Sequence, residues 1–145
     1  MKILIQRVLE AKVEIEEKIV GSIKQGALVF IGITEGDTKE NAVWLANKFF
    51  SLRMFNDEHE KPNLSILESK GEVLIVSQFT LYADCMTGRR PSFSKAARPD
   101  LAETLYGEFI LEVKRLGVFT QTGLFGAKMK VSLINDGPFT LMIEK

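Results

Sequence analysis

The strongest constraint on the fold is a set of strand-length apolar runs. ALVFIGI, residues 27–33, contains no polar side chain and predicts a strand that is buried on both faces. EVLIVSQFTLYA, residues 72–83, is rich in Val, Ile, Phe and Thr and predicts another strand. Alternation around Val13 and Ile15 has the period of a half-buried strand, and two apolar segments close the chain as strands. The chain is therefore rich in β-structure.

Two segments have helical periodicity instead. The first is predicted to start at Asp37, with Glu40 three residues later as a capping-box-like pair. It carries two adjacent apolar stripes, Val43, Ala46, Phe50 and Met54 beside Ala42, Leu45, Phe49 and Leu52. The second runs from about Asp100 to Leu116 and ends at Gly117, a C-cap residue. The order of elements predicts a single α+β domain over residues 1–145, with a largely antiparallel, curved, barrel-like sheet and two covering helices.

Composition limits the functional classes. Lys and Arg total 19, as do Asp and Glu, so any contact with nucleic acid must be local rather than due to bulk charge. The single cysteine, Cys85, is typical of a reducing compartment. No apolar run approaches the ~20 residues that span a bilayer. We therefore expect a cytoplasmic protein with no membrane association.

Catalytic side chains are scarce. His59 lies in the polar turn NDEHEKPN and is interpreted as a solvated loop residue. Cys85 has Arg89 and Arg90 nearby in sequence but no histidine partner, so it is interpreted as packed or incidental. One histidine and one cysteine do not make a zinc site, and no glycine-rich segment matches a phosphate-binding loop. No metal or cofactor is expected.

The segment SQFTL carries polar groups inside a predicted strand. On a strand, Ser77, Phe79 and Leu81 point to one side, whereas Gln78 and Thr80 point to the other. An amide and a hydroxyl on one face can orient a polar ligand. The alternative is an ordinary strand with a solvated face.

A second segment, TGRRPSFSKAARP, is locally cationic. It holds Arg89, Arg90, Lys95 and Arg98, with Phe93 among them. Positive charge interleaved with an aromatic ring suits a phosphate backbone and an unstacked base. The alternative is a solvated loop whose charges serve solubility.

A third segment, NDGPFT at residues 135–140, interrupts a strand pattern with a Gly-Pro pair. Proline cannot donate to a β-ladder and is normally confined to edges, strand starts or bulges. A hairpin turn at NDG is the simplest interpretation, since Asn and Gly tolerate positive φ.

Taken together, IQRV, VSQFTL, GRRPSFSKAA, TQTG and VSLINDGPFT make the chain resemble the D-aminoacyl-tRNA deacylase family over essentially its full length. The resemblance implies an enzyme of translation proofreading. It would hydrolyse the ester of D-aminoacyl-tRNA to free D-amino acid and tRNA, reject L-aminoacyl-tRNA, and also clear glycine mischarged on tRNA.

The resemblance also implies a homodimer with its active site at the interface. The Gly137–Pro138 peptide bond would be cis, and each pair would project into the partner's site. Its carbonyl groups would engage the substrate amino group, and Arg7 would hold the segment in place. The position after Gly-Pro, Phe139 here, is usually valine in the family.

The same resemblance assigns the other wall of the site. It would receive the 3′ end of aminoacyl-tRNA largely through backbone N–H groups, on Ser77, Gln78, Phe79 and Thr80. The neighbouring 2′-OH of the ribose would help to activate or position water, so no catalytic histidine is needed. Two alternatives stay open: a non-catalytic tRNA-end or single-strand nucleic-acid-binding module, and a hydrolase that uses Thr80 as nucleophile.

Overall fold

The computed structural model describes residues 1–86 and 88–145. Its elements are, in chain order, β1 (Lys2–Ile15), β2 (Lys18–Ile23), β3 (Gly26–Gly32), α1 (Lys39–Ser51), β4 (Phe55–Asn56), β5 (Pro62–Leu64), β6 (Glu72–Ser77), a 3₁₀ turn (Phe79–Tyr82), α2 (Pro99–Arg115), β7 (Thr120–Thr122) and β8 (Lys130–Glu144). No helix in these described residues is long and apolar enough to cross a membrane.

The sheet is built around β1. Its first half pairs with β3, its second half pairs with β2, and β8 runs along its other side, all antiparallel. β6 lies parallel to β3, and β7 lies parallel to β6. The predicted α+β fold, with a largely antiparallel sheet and two helices, is confirmed.

The sheet curls until β2 approaches β7. A Cβ added to Gly21 would lie 2.7 Å from the carbonyl oxygen of Thr122, so only glycine permits this approach. The curl creates two apolar cores. The inner one contains Val8, Leu28 and Leu74, and the outer one lies between the sheet and the two helices.

The apolar run at β3 contributes side chains to both cores, which explains its composition. Leu28 packs inside the curled sheet, whereas Ala27 and Val29 pack beneath the helices, and all three are fully buried. The predicted two-sided burial of this strand is therefore confirmed. Tyr106 links α2 to the sheet, because its hydroxyl donates to the carbonyl oxygen of Ile75 on β6 at 2.9 Å.

Glu112 ties the two helices together. It accepts hydrogen bonds from Asn47 of α1 at 2.9 Å and from Arg115, whose Nε and Nη2 lie 2.8 and 2.6 Å from the carboxylate. The Arg115 and Asn47 donors lower the pKa of Glu112 to about 2. The carboxylate therefore stays charged at neutral pH and braces α2 against α1.

The predicted start of α1 is wrong by one residue. Thr38, not Asp37, is the N-cap, and its backbone N–H donates to Asn41 Oδ1 at 2.9 Å in a capping box. Asp37 instead accepts from the backbone N–H of Thr34 at 2.8 Å and from the amino group of Met1 at 2.6 Å. The carboxylate therefore joins α1 to the start of β1.

The predicted strand over residues 72–83 is also wrong in its second half. β6 ends at Ser77, and the backbone N–H of Gln78 makes a last bond of 2.8 Å to the carbonyl oxygen of Ile31. The chain then folds into the 3₁₀ turn, because β3, the strand beside it, ends at Gly32. The predicted division of Phe79 and Thr80 between two faces of a strand therefore does not hold.

The hairpin interpretation of NDGPFT is wrong as well. β8 keeps one direction and pairs with β1 on both sides of the Gly-Pro pair. Its register places Thr140 opposite Gln6 and Asn135 opposite Val8, so residues 136–139 bulge out opposite the single residue Arg7. The segment is a bulge on a continuous strand.

Candidate active site

An apolar pocket of about 520 Å³ opens where β6 passes into the 3₁₀ turn. Apolar side chains dominate its walls. The lining residues contributed by the β6 end and the turn are Val76, Ser77, Gln78 and Phe79. The opposite walls come from Ala96, Ala97, Pro99 and Ala102 and from Phe125, Ala127, Met129 and Val131.

The pocket lining contains no titratable side chain among the residues that the structure describes. Ser77 and Gln78 contribute its polar side chains, and both are half-buried. Histidine-, cysteine- or carboxylate-based acid–base chemistry therefore has no group to use on these walls. Polarity here must come from amide, hydroxyl and backbone groups.

The polar groups of the turn are held in a fixed arrangement. Gln78 Nε2 donates to Thr80 Oγ1 at 2.5 Å, which orients both side chains. The N–H groups of Phe79 and Thr80 begin the 3₁₀ turn, so neither has an acceptor within it. Such N–H groups can serve a ligand that carries negative charge or a carbonyl oxygen.

Gly32 lets the turn lie against β3. A Cβ at this position would be 3.0 Å from Leu81 Cβ and 3.1 Å from the carbonyl oxygen of Gln78. Both neighbours belong to the segment that carries the pocket's polar groups. The absence of a side chain at Gly32 therefore sets how closely the turn approaches the strand.

Arg7 holds the bulge of β8 at residues 136–139. The side chain is 4% exposed. Its Nε lies 2.8 Å from Asp136 Oδ2, and its Nη2 donates to the carbonyl oxygen of Gly137 at 3.2 Å. On the other side, Nη1 donates to the carbonyl oxygen of Met54 at 2.6 Å and to Asn56 Oδ1 at 3.2 Å. One guanidinium thus connects the bulge with β4.

Two further contacts shape the bulge. Asn135 Nδ2 donates to the carbonyl oxygens of Arg7 at 2.8 Å and of Phe139 at 3.1 Å, so the amide closes its base. The ring of Phe139 lies 4.3 Å from the Arg7 guanidinium carbon, a cation–π contact. The Gly137–Pro138 peptide bond is cis.

Within one chain, the bulge and the pocket are separate. Neither Gly137 nor Pro138 is among the described residues that line the pocket, and both are exposed. A Cβ built on Gly137 meets nothing within 4 Å. The two predicted parts of the site therefore do not meet in this pocket within one chain.

All four predicted cationic residues are exposed, but they differ in their contacts. Lys95 Nζ lies 3.0 Å from Asp84 Oδ2, an ion pair within the loop. The backbone N–H of Arg98 donates to Glu35 Oε1 at 3.1 Å. Arg89 and Arg90 are the members of the set placed in the exposed run before Pro91.

Sequence reasoning missed several residues of the site. Phe125, Ala127 and Met129 follow β7 and form a wall of the pocket, yet the short segment between β7 and β8 carries no distinctive pattern. Met54 and Asn56 hold Arg7 from 47 and 49 residues away. Only a tertiary structure reveals such distant partners.

The fold is shared with a solved structure, and the sequence matches a known protein family. The structure superposes with a TM-score of 0.85 on a solved structure described as a probable eukaryotic D-amino acid tRNA deacylase, covering 98% of this chain and 97% of that one. At 18% sequence identity this likeness shows the fold alone. A sequence model of the family "D-Tyr-tRNA(Tyr) deacylase" matches residues 4–144, and the chain belongs to that family.

Relatives match over the whole chain. A protein of Exiguobacterium sp. strain AT1b named D-aminoacyl-tRNA deacylase is 54% identical over 145 residues, covering 100% of this chain and 99% of the relative. One of Thermosipho africanus with the same name is 54% identical over 144 residues, covering 99% and 97%. A solved structure named c-Myc DNA Unwinding Element Binding Protein is 34% identical, with a TM-score of 0.94 and coverage of 100% and 99%.

Proposed function

We propose that the protein hydrolyses the ester of D-aminoacyl-tRNA to free D-amino acid and tRNA. The observation that carries the proposal is an apolar pocket at Ser77, Gln78 and Phe79 whose walls, within the described part of the chain, hold no titratable side chain. The chain that holds it is 54% identical over its full length to proteins named for this activity. The activity belongs to proofreading of translation in the cytoplasm.

The chemistry suits a substrate that is already reactive. An aminoacyl ester to a ribose hydroxyl needs stabilisation of the developing oxyanion more than an activated nucleophile. Backbone N–H groups at Phe79 and Thr80 supply that stabilisation, which is typically the largest single contribution of a site. The apolar walls receive the terminal adenosine, and the ribose 2′-OH positions the attacking water. Thr80 orients Gln78 and is not the nucleophile.

Chiral selection is assigned to Gly137 and Pro138. A carbonyl oxygen has two lone pairs, so Gly137 can accept from Arg7 and from a substrate amino group at once. Such a filter reads the amino group and the configuration at Cα, and leaves the side chain free. It rejects L-aminoacyl-tRNA for any side chain. Glycine carries no side chain at Cα, so glycyl-tRNA passes the same filter.

We assign the complete site to a homodimer, in which the bulge of one protomer faces the pocket of its partner. Two observations support this. The bulge and the pocket lie apart within one chain, although both are needed by the proposed reaction. In addition, β8 pairs only with β1 among the described strands, which leaves a 15-residue edge with exposed Ile134 and Met142. A long unpaired strand edge favours association with a second chain.

Mixing two inactive variants tests a shared site. Gly137→Ala changes only the bulge, and Phe79→Ala changes only the pocket. If each site combines two chains, a mixed dimer holds one doubly altered site and one intact site, so co-refolded protein should recover on the order of a quarter of wild-type activity. No recovery, with mixed dimers demonstrated by mass, would place both parts in one chain.

The 3′ end of the tRNA is proposed to run past the cationic residues Arg89, Arg90, Lys95 and Arg98. Their exposure and the lack of bulk positive charge favour local phosphate contacts. Arg89 and Arg90 carry most of this contact, because Lys95 already pairs with Asp84.

A non-catalytic tRNA-end or single-strand nucleic-acid-binding module is the second candidate. It is favoured by the same arginines and by the likeness to a structure named as a DNA-binding protein. Release of labelled D-tyrosine from charged tRNA separates the two. The enzyme must release many equivalents per protein chain. A binding module would protect the tRNA stoichiometrically without turnover.

A further inference from the structure

The pocket walls alone do not fix the orientation of the Phe79 ring. Phe79 lines the pocket, yet 55% of the residue is exposed, so the pocket walls cover less than half of it. An exposed ring on a 3₁₀ turn would sample more than one rotamer. A ligand that packs on the ring would then have to order it, which costs affinity.

Phe93 supplies a contact of defined geometry. The rings of Phe79 and Phe93 meet edge to face, with centroids 5.1 Å apart and an interplanar angle of 67°. This is a preferred arrangement of aromatic pairs, because the positive edge of one ring meets the negative face of the other. Phe93 is itself 41% exposed, so it contributes little to the protein core.

The backbone that carries Phe93 is tied down on both sides. We call residues 91–98 the strap. Ser92 and Asp84 exchange backbone hydrogen bonds of 2.8 and 2.9 Å. Further along, the N–H of Ala97 donates to the carbonyl oxygen of Ile33 at 2.9 Å, and Thr34 Oγ1 donates to that of Lys95 at 2.5 Å. The strap thus follows the end of β3.

The strap is also part of the pocket. Ala96 and Ala97 line it, and the N–H of Ala96 donates to the carbonyl oxygen of Phe93 at 3.0 Å in a turn. The position of Phe93 is therefore coupled to a wall of the pocket. The segment that reads as a cationic loop in the sequence is built as a support for the pocket mouth.

We propose that Phe93 is a positioning residue, which acts by holding the Phe79 ring in the orientation that binds the terminal adenosine of the substrate. This inference rests on the proposed function. Phe93 acts through Phe79 and touches no reacting atom. Its loss should weaken binding and leave the chemical step nearly unchanged.

The test is a double-mutant cycle with two readouts. Phe93→Ala should raise the KM for D-tyrosyl-tRNA and the Kd for a non-hydrolysable amide analogue of 3′-D-tyrosyl-adenosine by about three- to tenfold, with kcat within about twofold. Phe93→Tyr, which keeps the ring, should restore both values. In a Phe79→Ala background, where turnover is lost, Phe93→Ala should have no further effect on the Kd. Leu111→Ala, which removes an exposed side chain from α2, is the surface control.

The analogue separates this role from contact with the tRNA body. An equal loss on the small analogue and on whole tRNA supports the inference, whereas a loss on whole tRNA alone overturns it. Additive effects of Phe79→Ala and Phe93→Ala would also overturn it. If the wild type bound the analogue but did not turn over D-tyrosyl-tRNA, the proposed hydrolysis would fail, and the Kd cycle would still decide the role of Phe93. A wild type that bound no analogue would overturn both.

Discussion

Nη2 of Arg7 donates a hydrogen bond of 3.2 Å to the carbonyl oxygen of Gly137. The same guanidinium bonds Met54 on the opposite side, so the position of the Gly137 carbonyl is set by β1 and by the residues leading into β4. This arrangement links a buried charged side chain to the atom that we assign to recognition of the substrate amino group. The rigid fork of arginine makes such a connection possible.

Arg7→Lys should weaken both folding and selection. Lysine carries a point charge and cannot bond Met54, Asp136 and Gly137 at the same time. Leaving some of these buried or partly buried acceptors without donors should lower the free energy of unfolding by about 1–3 kcal/mol. The rate ratio between D- and L-tyrosyl-tRNA should fall at least tenfold. Denaturant unfolding and paired deacylation assays measure the two effects.

Arg53→Lys is the matched control for this change. Arg53 is exposed and donates to Asn63 on the surface, so its replacement should leave both quantities near their wild-type values. Wild-type stability and selectivity in Arg7→Lys would show that the fork does not hold the bulge.

Gly32→Ala should impair catalysis by displacing the 3₁₀ turn. The added methyl group would lie 3.0 Å from Leu81 Cβ and 3.1 Å from the Gln78 carbonyl oxygen, so the turn must move away from β3. We expect kcat/KM to drop at least tenfold in a protein that still folds. Gly107→Ala, in α2, is the control because a Cβ there meets nothing within 4 Å.

The control variant should keep full activity and gain roughly 0.5–1 kcal/mol of stability, since alanine favours a helix more than glycine does. Equal activity of Gly32→Ala and Gly107→Ala would mean that the turn tolerates displacement, and would remove Gly32 from the account of the site.

Thr80→Ala should retain activity within about threefold. Its hydroxyl accepts from Gln78, and the described pocket walls offer no base to activate it. Loss of a true nucleophile would instead reduce kcat by about 10⁴-fold or more. Single-turnover deacylation, with circular dichroism to verify folding, distinguishes the outcomes. A loss of the larger size would establish the threonine mechanism.

Replacing Arg89 and Arg90 by Gln should weaken tRNA binding for all sequences alike. Each lost contact to a single-stranded phosphate should reduce the slope of log K against log salt by about 0.7. Lys95→Gln should change the slope less, because Lys95 is paired with Asp84. Filter binding at several salt concentrations measures the slope. An unchanged slope in the double variant would identify the loop as solvated surface only.

The sequence predicts the elements of the fold better than their ends. The apolar run at β3 is buried on both faces as its composition indicates, because its side chains feed two cores. Residues 79–82 have strand composition but form a 3₁₀ turn, since the ladder ends when β3 ends at Gly32. Local propensity cannot report the length of a neighbouring strand.

Local sequence patterns also fail to reveal how the segments of the site are arranged. The Gly-Pro bulge reads as a hairpin locally, and only its pairing with β1 on both sides shows a continuous strand. Phe93 stands out in the sequence as an aromatic in a cationic loop, whereas its contact with Phe79 depends on backbone bonds to Ile33 and Asp84. Long-range contacts decide the role of both segments.

The central claim is hydrolysis of D-aminoacyl-tRNA with rejection of the L form. The most direct measurement is the initial rate of amino acid release from D- and L-tyrosyl-tRNA, with wild-type protein far below the substrate concentration. We predict many turnovers on the D substrate, and release from the L substrate at the rate without protein. Equal acceleration of both substrates would contradict the selection mechanism, and acceleration of neither would contradict the enzymatic function itself.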